Sequence, residues 1–121
     1  MKTKIKSFYI PIYNVAVRVT IADDIKTMVE MAFEGRDGEY FPESCEAFCF
    51  FDVETGKASL VFSSLSLNPG TIAHESFHLM LAIMKNIGFE FDESTAEPSA
   101  YLLEYIITTV TRIVNEAKRK A

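Results

Sequence analysis

The sequence has no tryptophan, two cysteines and only two histidines. So little cysteine excludes a disulfide-stapled scaffold. Cys45 and Cys49 are spaced C-x3-C, not C-x2-C as in zinc knuckles or thioredoxin-like motifs. On a strand they would share a face but lie too far apart to bridge, so they read as buried thiols in a reducing compartment. Two histidines leave none to spare: a serine or cysteine nucleophile would have to borrow its base from the motif described below. The five glycines are scattered, so no phosphate-cradling loop occurs. Positive charge is scarce as well, with 12 Lys and Arg against 17 Asp and Glu and a net charge of -5. A nucleic-acid binder normally shows the opposite excess. The basic residues gather at the ends, Lys2, Lys4 and Lys6 and then Lys118, Arg119 and Lys120, and the last three suit the C-terminal end of a helix. Long apolar runs are missing too. The stretch Phe8–Tyr13 is followed by Asn14 and Arg18, and Ser99–Val114 contains Glu104 and Arg112. Neither resembles a signal peptide or a membrane span. The expectation is a cytoplasmic protein without nucleic-acid or membrane partners.

What is present is ordinary globular material. The 121 residues are 49% hydrophobic and 24% charged, with ten Phe and five Tyr for bulk. This fits a single domain with a real core. Residues 8–21 look extended, because Val15, Val17, Val19 and Ile21 alternate with smaller or polar residues, and Pro11 suggests an edge or a bend at the start. Asp23 or Asp24 can cap a helix carrying Ile25, Met28, Val29 and Ala32, with Gly35 ending it and a loop following over 35–44. Residues 46–67 read as a hairpin turning at 52–57. Asn68-Pro69-Gly70 interrupts the chain, and Thr71 is the expected N-cap of the next helix. That helix is apolar nearly all round to Ile87, which predicts a position inside the domain, and Gly88 ends it. A last helix is expected from about Thr95 to about Lys118, with Pro98 in its first turn. The order β, α, β-hairpin, α, α implies an α+β domain with an antiparallel or mixed sheet.

Both histidines lie in His74-Glu75-Ser76-Phe77-His78. Four apart on a helix, they project from one face, one turn apart, and two imidazoles so placed can converge on one tetrahedral cation. Glu75 is turned by about 100° from His74, which lets its carboxylate reach a metal-bound water rather than the metal. Zinc acidifies such a water and the glutamate takes its proton. Shuffling this composition produces the pattern about once in six hundred arrangements, a bound on the false-positive risk. Buried His and Glu are moreover costly in an apolar helix unless paired or ligated.

His74-Glu75-x-x-His78 resembles the active-site signature of the zincin metallopeptidases, and the order hairpin, motif helix, second helix is similar to the core of their fold, over about residues 46–110. The metzincin continuation is excluded, because Leu81 and Met84 stand where that subtype has Gly and His. The gluzincin resemblance implies a third ligand on the following helix about twenty residues after the second histidine, where Glu97 stands. Chain reach agrees. The helix climbs roughly 15 Å from His78 to Gly88, and the return covers at most about 3.3–3.6 Å per residue. Asp92 falls short, Glu93 is marginal and Glu97 has ample chain. Thermolysin-like members have Asn before that glutamate and Asp four residues after it, whereas here the neighbours are Ala96 and Tyr101. Asp92, Glu93 or Glu104 would have to orient an imidazole instead. Tyr101, one turn beyond Glu97, is the candidate for oxyanion support, packing against the sheet being its other reading, as for Tyr105. The segment Ser59–Ser66 is a candidate edge strand for substrate, with an interior strand as the alternative.

The resemblance therefore implies a zinc-dependent hydrolase, a small metallopeptidase acting on a protein or peptide. One zinc would be held by His74, His78 and Glu97, with Glu75 as general base. A chain of this size leaves no room for a second cleft wall, so the cleft would be shallow or completed by a partner or a second subunit. The alternative is a non-catalytic metal-binding or interaction module on the same scaffold.

Overall fold

The computed structural model describes residues 3–23 and 47–119. The helix expected from Ile25, its Asp24 cap, the loop 35–44, Cys45 and the terminal Lys2 and Lys120 lie outside the described residues. Four strands come first: β1 (Lys4–Ile10), β2 (Val15–Ala22), β3 (Ala47–Asp52) and β4 (Lys57–Ser63). Two helices follow, α1 (Pro69–Asn86) and α2 (Ala96–Arg119), with a 3-10 turn over Glu93–Thr95 leading into the second. The class is α+β, and the sheet is mixed.

The single extended segment expected over 8–21 is two strands. Pro11 to Asn14 form a turn, with Asn14 at φ 57, and β1 runs back antiparallel to β2 with Ile10 opposite Val15. The lysines hide β1 in the sequence. Lys4 is hydrogen-bonded to the Ala117 carbonyl of α2, and Lys6 lies 3.6 Å from Glu116, so two charged residues occupy helix-facing positions where alternation would demand apolar ones. The strand order is β1-β2-β4-β3, with β2 and β4 parallel and the outer pairs antiparallel. The segment 59–66 is therefore not an edge: β4 sits between β2 and β3, and Leu60 and Phe62 are fully buried. The β3–β4 turn needs its glycine. Gly56 has φ +70, and a Cβ there would stand 3.1 Å from the Asn14 carbonyl, so the two hairpin turns meet where only glycine fits.

The core lies between one sheet face and the two helices. Val15, Val17, Val19 and Ile21 of β2 and Leu60 and Phe62 of β4 meet Leu79, Met80, Ile83 and Met84 of α1 and Leu102, Ile106, Val110 and Val114 of α2. Each such side chain contributes about 1.5–3 kcal/mol when fully buried. The N-cap of α1 is Asn68, not Thr71: the Asn68 side chain accepts from the Thr71 N–H at 3.0 Å, and Pro69 opens the helix. An Asx cap followed by Pro at N1 is a helix start, so the tripeptide read as a break begins the helix. Gly88, at φ +90, takes the left-handed position after the helix, and its N–H and that of Phe89 return to the Lys85 and Met84 carbonyls. Helix α1 is not enclosed on all sides, since Phe77 is 38% exposed and the two histidines flank it on the open face. Helix α2 begins within a residue of its expected start, behind a capping box between Asp92 and Thr95.

Candidate metal centre

The open face of α1 looks toward β3. There a wide-mouthed cleft of about 470 Å³ is lined by Ala47, Phe48, Cys49 and Phe51 of β3 and by His74, Glu75, His78 and Ala82 of α1. Strand alternation puts Ala47, Cys49 and Phe51 on the helix side, and helical spacing puts His74, His78 and Ala82 in a row across from them. The imidazole centroids are 4.9 Å apart at an interplanar angle of 65°. A zinc ion about 2.0–2.1 Å from one nitrogen of each ring, with a near-tetrahedral angle, would separate the centroids by roughly 5 Å. The pair thus has the spacing such an ion requires, and both rings are reachable from solvent.

Glu75 behaves differently from its neighbours. It is 7% exposed. The His74 Nε2 lies 3.8 Å from its Oε2, too far for a hydrogen bond. Burial pushes the carboxyl above its ordinary range, and the His74 and His78 imidazoles pull it partly back. Burying a carboxylate is costly, and a cation at the cleft would offset that cost. Cys49, which sequence reasoning treated only as a buried thiol, joins the same cleft. Burial, and secondarily the Glu75 charge, push its thiol up to about 12. The available signal was its strand phase, two residues from Ala47 and Phe51 on a strand next to the motif helix.

No family model, curated protein or solved structure matches the chain.

The other expected site residues lie elsewhere. Among the described residues, no three His, Cys, Asp or Glu side chains are grouped to hold a metal ion. Glu97 is exposed and is not among the residues lining the cleft. Thr95 and Ser99 are buried, so residue 97, about 200° from each, faces outward. Tyr101 is 68% exposed and lines a groove with Phe8, Tyr9 and Tyr105 on the β1 side of the sheet. That edge is three strand spacings from β3, roughly 14 Å. Tyr105 donates its hydroxyl to the Tyr9 carbonyl at 3.1 Å. Of the carboxylates considered as imidazole partners, Asp92 is engaged in capping: its Oδ1 accepts from the Ser94 hydroxyl and from the Ser94 and Thr95 N–H groups, which hold it below the usual range. Glu104 lines the tyrosine groove, and Glu93 is exposed in the turn before α2. No helix among the described residues is long and apolar enough to cross a membrane.

Proposed function

We propose that the chain is a zinc-dependent hydrolase, with peptide-bond hydrolysis the reaction that the zincin resemblance favours. One observation carries the reading: two imidazoles at metal-bridging distance, with the largely buried Glu75 carboxylate 3.8 Å from one of them. His74 and His78 would hold the ion through one nitrogen each. When bound, zinc supplies a Lewis acid that polarises a carbonyl and makes water a nucleophile near neutral pH. Glu75 is the proton acceptor. Its raised affinity for a proton moves it toward the working pH of a general base, as proton transfer requires. The same residue can then return the proton to the leaving amine.

A second reading is favoured by the placement of Glu97. With two protein ligands rather than three gathered among the described residues, the site also suits a non-catalytic metal-binding or interaction module. Tyr101, on the opposite edge of the sheet, is given no catalytic role in either reading.

Metal analysis of the purified chain tests both. About one zinc per chain, lost in His78→Ala, is expected. A Glu75→Gln variant should keep the metal and lose turnover of peptide substrates. Equal turnover in that variant would sink the catalytic reading, and absence of stoichiometric zinc would sink both.

A further inference from the structure

The edge of the sheet remote from the histidines carries a self-complementary surface. Tyr9 of β1 is paired with Ala16 of β2. The Ala16 N–H is spent on the Gly56 carbonyl, on the far side of β2. The Tyr9–Ala16 pair is therefore one of the non-hydrogen-bonded pairs of the antiparallel ladder, and so by alternation are Ser7–Arg18 and Ile5–Thr20. Hence Ile5, Ser7 and Tyr9 direct their backbone N–H and C=O groups outward. No strand pairs with them among the described residues. Ile5 is 57% and Tyr9 49% exposed. Lysines often guard such an edge, but Lys4 and Lys6 are turned back onto Ala117 and Glu116 at the end of α2.

Alongside β1 runs the exposed stripe of α2 formed by Tyr101, Glu104, Tyr105, Thr108 and Arg112, which with Phe8 and Tyr9 lines a groove of about 570 Å³. Strand and helix run in opposite directions: Phe8 touches the Tyr105 ring at 6.4 Å between centroids, and Lys4 reaches Ala117. From Phe8 or Tyr9 back to Ser7 is roughly 3–7 Å along the strand, equivalent to about two to four helix residues. This sets Ser7 level with Thr108.

We propose that this edge is a twofold interface with a second copy of the chain, with the axis passing near Ser7 and Thr108. In that register Ser7 meets Ser7, and Ile5 of each copy faces Tyr9 of the other. Two exposed apolar pairs are covered, and the outward backbone groups form up to about six hydrogen bonds. The Tyr9 carbonyl keeps a lone pair for this while accepting from Tyr105. Lys6 stands opposite Phe8 and Lys4 opposite Ile10, so no like charges meet. On the helix layer the same axis sets Glu104 of each copy against Arg112 of the other, since both lie four residues from Thr108. An isologous interface needs this self-complementarity. A sheet continuous across the two copies removes one exposed edge from each.

The test is sedimentation of the full chain across about 1–100 µM, for the wild type, Glu104→Arg, Arg112→Glu and the double charge swap. Both substituted residues, Glu104 and Arg112, are exposed, and circular dichroism checks that the fold is kept. A wild-type dimer is expected, weakened at least about tenfold in each single variant, where two attractions become two repulsions, and restored in the double swap. A monomeric wild type would overturn the proposal and leave the edge to a different protein. A dimer indifferent to Glu104→Arg, or a double swap that fails to restore it, would overturn this interface.

Discussion

Glu75 is the residue where function and stability oppose each other most directly. It lies 7% exposed in α1, and the exposed His74 imidazole stands 3.8 Å from its carboxylate, too far for a hydrogen bond. Leaving such a group buried costs about 1–3 kcal/mol. Leucine has nearly the helix propensity of glutamate and would meet the apolar β3 wall. Without metal, Glu75→Leu is therefore expected to be more stable than the wild type by about 1–3 kcal/mol. For a domain of this size that raises the melting temperature by roughly 3–15 °C. The pH dependence carries its own sign. Because the folded-state pKa of Glu75 is raised, its contribution is fully present below the ordinary carboxylate range and is lost as pH rises through and above that range. The advantage of the leucine variant should therefore widen with rising pH in chelator, because the Glu75 slope is present in the wild type and absent from the variant. Zinc acts the other way. At about one hundred times its dissociation constant it would stabilise either chain by about 2.7 kcal/mol, since both keep His74 and His78. Urea melts in chelator and in zinc, at several pH values, separate these effects. Destabilisation of Glu75→Leu by more than about 1 kcal/mol in chelator would show the opposite, that the carboxylate has a good partner in the folded chain.

Three further outcomes are expected. In a Cys45→Ser background, Cys49 should react with a thiol reagent at pH 8 about a thousandfold more slowly than in denaturant, because its thiol is pushed up to about 12 and the thiolate is the reactive form; its stability contribution should be lost as pH rises from about 9 toward 12, as read by alkylation rates and melts. Asn68→Ala removes the side chain that accepts the Thr71 N–H and should cost about 1 kcal/mol in a urea titration. Gly88→Ala meets no atom within 4 Å but must hold φ +90, so a cost of about 1–2 kcal/mol in calorimetry, from backbone strain alone, is expected.

Much of the fold is legible in the sequence because it is local. The alternation of Val15, Val17, Val19 and Ile21 matches their burial in β2, and the 46–67 hairpin forms as β3 and β4. The last helix appears where Pro98 and the basic end imply it. Errors arise where a residue serves a distant partner. Lys4 and Lys6 break the apolar pattern of β1 because they bond to the end of α2, more than a hundred positions away. Thr71 has the chemistry of a cap, yet Asn68 takes the role, and the Thr71 hydroxyl goes to the Ser66 carbonyl.

The spacing of the candidate centre follows from the residue order alone. His74 and His78 share a face because a helix repeats every 3.6 residues, and Glu75 is rotated from them for the same reason. Covalent geometry and one helix suffice for that. Only the tertiary structure decided what the motif faces. The packing of α1 against β3 buries Glu75 and brings Cys49 into the cleft. The strand order places β4 inside the sheet and leaves Tyr101 at the opposite edge from the histidines. Chain reach is only a necessary condition for Glu97 to join the histidines. The rotation of α2 that buries Thr95 and Ser99 turns Glu97 outward, and that rotation is set by the apolar stripe of the whole helix, not by the residues around position 97.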